Sequence, residues 1–462
     1  MLALAKIVII FIFPFWIGLV IVNAIERGKR HFAGPEKLGL SLSIGMVMIS
    51  FFLLYLGVLK ISITVWSVFL VFVFLIPINF ISIREKGVRA YFSFYRFQKC
   101  IFQPGHLWRN VLLILILVLI IAKFIYILYY GLTVPPYFDD PVSRWNYKAK
   151  VFFIQKSLVL ESSHQDFLGG TALRYPLGNS LFKTWTALVT GGWGERYVNL
   201  SGAAIYLAII IVGYYRFRVS LNIFASLIFS YFLASIPLLV FHSGTGHTDG
   251  ILGYYFSFSI IYLYDGLRKK YPDYIIIASI LMAAALFTKA EAISYFISGA
   301  LPLLFCYFLF GKNTPLRVKA IYVGLYLLPL AVLIFPWIYL KNAYGIVQTL
   351  PARRYGLEFH PQGIPIIIRD LFNSGNFNFA WMGMVIVILL GIKRIIKTDL
   401  FWLFLSCLGL AINLIFFHIF TSLYEFLEIG TQFNRLVLHI LPLFIFLSSR
   451  IMGFWLPRDD TS

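Results

Sequence analysis

Along this chain, apolar residues come in runs longer than the buried strand or helix of a soluble protein requires. The first lie near 7–25, 39–59, 61–83 and 110–132, each close to the roughly 20 residues a helix needs to cross a hydrocarbon layer about 30 Å thick. After a polar interval, further runs lie near 198–215, 219–241, 250–265, 274–290, 293–311, 320–341, 379–392, 399–420 and 436–449. That makes roughly thirteen, some shorter than an ideal span. The pattern predicts an all-α polytopic membrane protein. From Pro141 onward, Trp145, Lys148, Ala149 and Phe152 recur at helical spacing, so the interval 133–197 reads as a loop carrying short amphipathic helices on the membrane surface. No fixed-period repeat or low-complexity segment divides the chain. We therefore read one integrated membrane domain in three parts: a four-helix segment 1–132, the loop 133–197 and the remaining bundle 198–462.

Composition agrees with this reading. Hydrophobic residues make up 60% and charged ones 13%, against about a quarter charged in soluble domains, and mean hydropathy is +0.85. The net charge of +20 is no nucleic-acid stripe, because the cations fall between spans, in loops 26–37, 84–109, 216–218, 268–270, 312–319, 393–397 and 450–458. If the spans alternate, these loops share one side, which makes that side cytoplasmic, the N-terminus external and the C-terminus internal. A plasma (inner) membrane location and contact with membrane lipids are expected, without nucleic acid. The first span ends in Val22-Asn23-Ala24, a pattern compatible with signal-peptide cleavage, but its denser cations follow the span instead of preceding it. Cys100, Cys306 and Cys407 are scattered and offer neither a disulfide framework nor a metal spacing.

Chemistry-bearing residues collect in the segments this orientation leaves outside. Tyr137 to Lys150 reads YFDDPVSRWNYKAK, with two adjacent acids and three cations. Asp140-Pro141 also matches a helix start, an acid at the N-cap and proline at the first helical position, and capping by Asp140 would free Asp139. The stretch 242–250, HSGTGHTDG, is a glycine turn in which Asp249 either caps the next helix or joins His247 beside the first cluster; a divalent cation there is a lesser alternative, and no cofactor is required. FTKAEA, 287–292, puts Lys289 and Glu291 between apolar runs, where charges are costly unless paired, solvated or used. Arg435 opens the last run, with His439 one turn on; an Arg there can also snorkel to the interface.

In this order the residues resemble the GT-C class of polytopic glycosyltransferases that use polyprenyl-phosphate-linked sugars, the group of the protein mannosyltransferases and aminoarabinose transferases. Asp140 with Trp145-Asn146-Tyr147-Lys148-Ala149 resembles an acid followed by W-x-x-K-A. Arg174-Tyr175-Pro176 supplies Y-P, Thr248-Asp249-Gly250 the Gly-and-Asp turn, and Thr288-Lys289-Ala290-Glu291 a T-K-x-E turn. Pro336-Trp337 supplies P-W, and Arg435-Leu436 with His439 and Pro442 resembles R-L-x-x-H-x-x-P. These matches span residues 137–442. About three extra spans precede the acidic loop, and the pair is Asp139-Asp140 where members often have Asp-Glu.

The resemblance implies inverting transfer of a sugar from a polyprenyl-phosphate donor to a hydroxyl of a lipid, glycan or protein acceptor on the extracytoplasmic face. An acid would orient and deprotonate the acceptor, with Asp140, or else Asp139, as the candidate. Lys148, Lys289, Arg435 and Arg174 would receive the phosphate. Trp145, Tyr175, Asp249, His247, Glu291 and His439 would support them. Two alternatives share the donor class: a transporter or flippase of a lipid-linked sugar, which Lys123 inside the fourth run suits, and a surface-polysaccharide polymerase or ligase.

Overall fold

In the computed structural model, residues 2–26, 31–86, 107–161, 163–167, 171–311, 314–346 and 356–456 are described. Cys100, Arg353 and Arg354, and parts of the cation-rich loops 26–37, 84–109, 312–319 and 450–458, lie outside them. Among the described residues the chain is helical, without a strand. Helices α1 (Leu2–Glu26), α2 (Gly34–Val58), α3 (Val65–Lys86) and α4 (Leu107–Thr133) form over the first four apolar runs. Beyond the polar interval come α5 (Tyr147–Gln155), α6 (Gly178–Thr190), α7 (Glu195–Val198), α8 (Ser201–Phe217), α9 (Ile223–Ala234), α10 (Pro237–Gly244), α11 (Asp249–Lys269) and α12 (Pro272–Thr288). The last third holds α13 (Ala292–Phe310, with a π-helical turn at Phe296–Ala300), α14 (Leu316–Ala343), α15 (Gly363–Phe372), α16 (Ala380–Lys397), α17 (Leu400–Phe420), α18 (Tyr424–Glu428) and α19 (Phe433–Met452).

The chain is thus a multi-pass helical protein, but with a coarser count than roughly thirteen. Eight helices among the described residues are long and apolar enough to cross a membrane, or nine if α9 and α10, bent by 60°, make one broken span. The bend falls where Pro237 opens a new helix, since a proline cannot continue the hydrogen-bond ladder. Other runs fall short in length or polarity: α12 has 17 residues, and α11 carries Asp249, Asp265, Arg268 and Lys269.

Helices α11 and α19 run through the centre, buried almost from end to end and packed on each other. In contrast, α4 and α14 expose Leu115, Ile125, Leu328 and Phe335, an apolar surface of the kind that faces lipid. The N-terminal helices belong to the core. Helices α1 and α2 cross so closely that a Cβ on Gly45 would lie 1.7 Å from the Pro14 carbonyl oxygen, the close backbone approach small residues permit. The interval 133–197 is more than a loop, because α6 packs against α1 and α2 and Trp185 Nε1 donates to the Ile10 carbonyl at 3.1 Å.

Two ends of the bundle carry buried charge. At one, Arg216 of α8 pairs with Glu36 and Asp265, and Arg450 of α19 binds both oxygens of Asp265 at 2.6 and 2.7 Å. That network ties α2, α8, α11 and α19 together. The other end holds all four clusters singled out in the sequence.

Candidate functional site

The acidic stretch opens as a π-helical turn, Asp140–Asn146, running into α5. The N-cap position belongs to Asp139, which makes no side-chain cap bond and is exposed. Asp140 therefore does not cap the helix. Its Oδ1 lies 2.9 Å from Arg144 Nε, one turn on, and its Oδ2 meets Arg435. Burial alone would raise the Asp140 carboxyl, but Arg435, then Lys289 and Arg144, outweigh it and hold the group below the usual carboxylate range.

The helical stripe after Pro141 turns inward. Trp145, Lys148, Ala149 and Phe152 are all buried, so Trp145 is not an interfacial anchor; it packs edge-on to Tyr175 and under α6. Lys148 is fully enclosed. Its ammonium donates to the carbonyls of Tyr175 and Pro176 at 3.0 and 3.4 Å and lies over the Trp145 ring. Burial, then the nearby Arg144, pushes it down to about 7. It thereby ties the Tyr175-Pro176 pair to the acidic turn. Arg174 is exposed and takes no part in this cluster.

Asp249 is the first residue of α11, with Thr248 at the N-cap and no side-chain cap bond. Its side chain is fully buried and bound on every side. Oδ1 accepts from Lys289 Nζ at 2.8 Å and His439 Nε2 at 2.9 Å, and Oδ2 accepts from Arg435 at 3.0 and 3.2 Å. His242 Nδ1 is also 3.2 Å from Oδ2, close but off the hydrogen-bond line. The Asp249 carboxylate only accepts, which assigns His439 Nε2 as the donor to it and leaves Nδ1 to accept from the Tyr295 hydroxyl at 3.0 Å. With both oxygens so engaged, the His247-Thr248-Asp249 run has no free carboxylate to offer a metal ion.

Arg435 joins the two acids. One guanidinium spans Asp140 and Asp249, 109 positions apart. Lys289 spans Asp249 and Glu291, the latter at 3.4 Å. Burial alone would lower the Lys289 ammonium, but Asp249 and Glu291 outweigh it and raise it above its ordinary value. Arg144 also reaches the Tyr175 hydroxyl and lies over its ring at 5.0 Å. Three carboxylates thus face three cations, and of these cations Arg435 and Arg144 keep a quarter and a third of their side-chain surface open. Trp337 of the Pro336-Trp337 pair is buried near Phe287, just before Lys289.

His247 sits one layer away. It stacks on His242 with ring centroids 4.4 Å apart, packs on Phe138 and bonds Thr245 Oγ1 at 2.7 Å. Burial, then the adjacent His242, pushes it down to about 3.

Sequence reasoning missed Lys183. Fully buried on α6, its ammonium donates to Asn146 Oδ1 and Asn199 Oδ1 at 2.7 Å each and to the Gly246 carbonyl at 3.2 Å. Three acceptors satisfy its three N–H groups. Burial, opposed by Glu195, pushes this ammonium down to about 7. The bond fastens the acidic turn to the loop before Asp249, where Gly246 has φ of +80° and a Cβ would lie 2.5 Å from Asn199 Oδ1. Nothing near Lys183 in sequence announces this. Arg144 was legible as an i, i+4 partner of Asp140, and His242 stood within the quoted turn.

Compared with family models, with curated proteins and with solved structures, the chain has no match in any of the three.

Proposed function

We propose that this protein is an inverting glycosyltransferase that moves a sugar from a polyprenyl-phosphate carrier to an acceptor hydroxyl. The observation that carries the reading is the bridge from Asp140 through Arg435 to Asp249 and Lys289, which gathers four sequence clusters at one end of the bundle. In this reading that end faces outward, as the cation-rich loops imply. The cluster supplies what the reaction asks for: carboxylates to hold an acceptor hydroxyl, and fixed guanidiniums with open edges to receive charge on a departing phosphate. Lys148 and Lys183 serve from behind by fixing the backbone around Asp140. The donor's prenyl tail would lie against apolar helix surface in the outer leaflet, with the sugar at the cluster.

A transporter of the same lipid-linked sugar is the second reading, favoured by the 60° break between α9 and α10. Against it, the charges gather at the ends of the helices and not at the break. A moving bundle would also have to part the Arg216, Glu36, Asp265 and Arg450 network at the far end.

The deciding experiment is mass spectrometry of surface glycans and lipid-linked sugars from cells lacking the protein, complemented by wild type or by Asp140→Asn at matched membrane levels. Loss of one sugar from an acceptor, with build-up of its prenyl-phosphate donor, is expected in both the deletion and the variant. Full glycan restoration by Asp140→Asn would refute a role for this acid, and an unchanged glycan profile in the deletion would refute the transferase reading.

A further inference from the structure

Nearly every carboxylate oxygen in this cluster is claimed. Asp140 gives one oxygen to Arg144 and the other to Arg435; Asp249 gives one to Lys289 and His439 and the other to Arg435. Glu291 differs. Its Oε1 is 3.4 Å from Lys289 Nζ, while Oε2 is buried and accepts no hydrogen bond among the described residues. A quarter of the side-chain surface is nevertheless exposed. Native proteins seldom leave a buried acceptor unmet, and an orphan inside a charged site marks a place where a ligand brings the missing donor. A hydroxyl group is such a donor.

The two acids also differ in the cations that hold them. A carboxylate clasped by two guanidiniums gains little from a proton, because protonation would strand both cations. Glu291 has one lysine at the edge of contact, and that lysine also holds Asp249. Glu291 begins α13 as the N-cap residue, with no side-chain cap bond, so its carboxylate is not spent on the helix either. Its neighbourhood ties it to the same site: Lys289, which it pairs with, also holds Asp249, and Asp249 shares Arg435 with Asp140.

Building on the glycosyltransferase reading, we propose that Glu291 is the catalytic base and that Asp140 is a positioning residue that holds Arg435 and Arg144 for the phosphate. The acceptor hydroxyl donates to Oε2. Its oxygen lone pair forms the new bond to the anomeric carbon while the bond from that carbon to the phosphate oxygen breaks. The electron pair of the broken bond stays on the phosphate, beside Arg435 and Arg144, and the hydroxyl proton ends on Glu291. The carboxylate loses the charge that the leaving phosphate gains, so the cluster keeps its balance through the step.

The test uses the full-length protein in nanodiscs with a lipid extract of cells lacking it, which supplies accumulated donor and acceptor, and follows prenyl-phosphate sugar by mass spectrometry. Glu291→Gln should slow saturated turnover by about 10²- to 10⁴-fold and leave the half-saturating donor level within roughly threefold. Added formate should restore part of the rate to Glu291→Ala, which a packing defect would not allow. Asp140→Asn should instead raise the donor level required. Wild-type turnover in Glu291→Gln, or formate rescue of Asp140→Ala in place of Glu291→Ala, overturns the proposal while the transferase reading stands. A wild-type protein that consumes no prenyl-phosphate sugar overturns both. If the Gln variant does not reach the membrane, the comparison of Glu291→Asp with Glu291→Ala plus formate decides: both inactive without recovery counts against Glu291.

Discussion

Asp249→Asn separates a shared electrostatic hub from a set of independent contacts. The substitution keeps the shape and removes the charge of a side chain with no exposed surface. It also turns one acceptor into a donor, so either Lys289 and His439 or Arg435 then faces an N–H group. Breaking a buried pair by removing one partner costs about 3–5 kcal/mol. Here Lys289 keeps Glu291 and Arg435 keeps Asp140, which puts the expected loss at the low end, about 3 kcal/mol, a more than hundredfold change in the folding equilibrium. The assay is equilibrium unfolding in mixed micelles for wild type, Asp249→Asn, Lys289→Met and the double variant. Because the lysine is buried, its removal should repair part of the damage, so the double variant should lose less than the sum of the two single losses, by a coupling of about 0.5–3 kcal/mol. A loss below about 0.5 kcal/mol for Asp249→Asn, or strictly additive effects, would refute the hub.

Lys183→Met should cost about 3 kcal/mol, because it leaves two buried amide oxygens and one carbonyl without their donor; stability like that of wild type in the same unfolding assay would show that water replaces the ammonium. For His247, the folded imidazole titrates near 3, against 6.5 ordinarily. The unfolded chain therefore takes up a proton below pH 6.5 that the folded one refuses. Its contribution to stability is complete above pH 6.5 and falls by about 1.4 kcal/mol per pH unit as the pH drops from there toward 3. His247→Phe should flatten the stability profile over that window, and an unchanged slope would place the acid sensitivity elsewhere.

The sequence by itself determined the all-helical membrane class. Its long apolar stretches favour a hydrocarbon solvent, but of roughly thirteen runs only eight, or nine with the broken pair, gave helices long and apolar enough to span among the described residues. It also flagged Asp140, Asp249, Lys289, Glu291, Arg435 and His439, since a charge beside or within an apolar run is costly enough to be noticed. What it left open was pairing. Asp140-Pro141 and Asp249-Gly250 both read equally well as helix caps, because local spacing carries no information about a partner as distant in sequence as Arg435. Only the tertiary structure decided that Arg435 lies between them and that neither carboxylate caps its helix. It likewise turned Trp145 and Lys148 inward, because α6, buried within what reads as a loop, supplies a protein surface for them where the periodic pattern alone suggests lipid. Lys183 shows the limit most plainly: its three acceptors come from Asn146, Asn199 and Gly246, on three separate segments. A single buried ammonium has no periodicity to read, and its role exists only once the chain has folded around it.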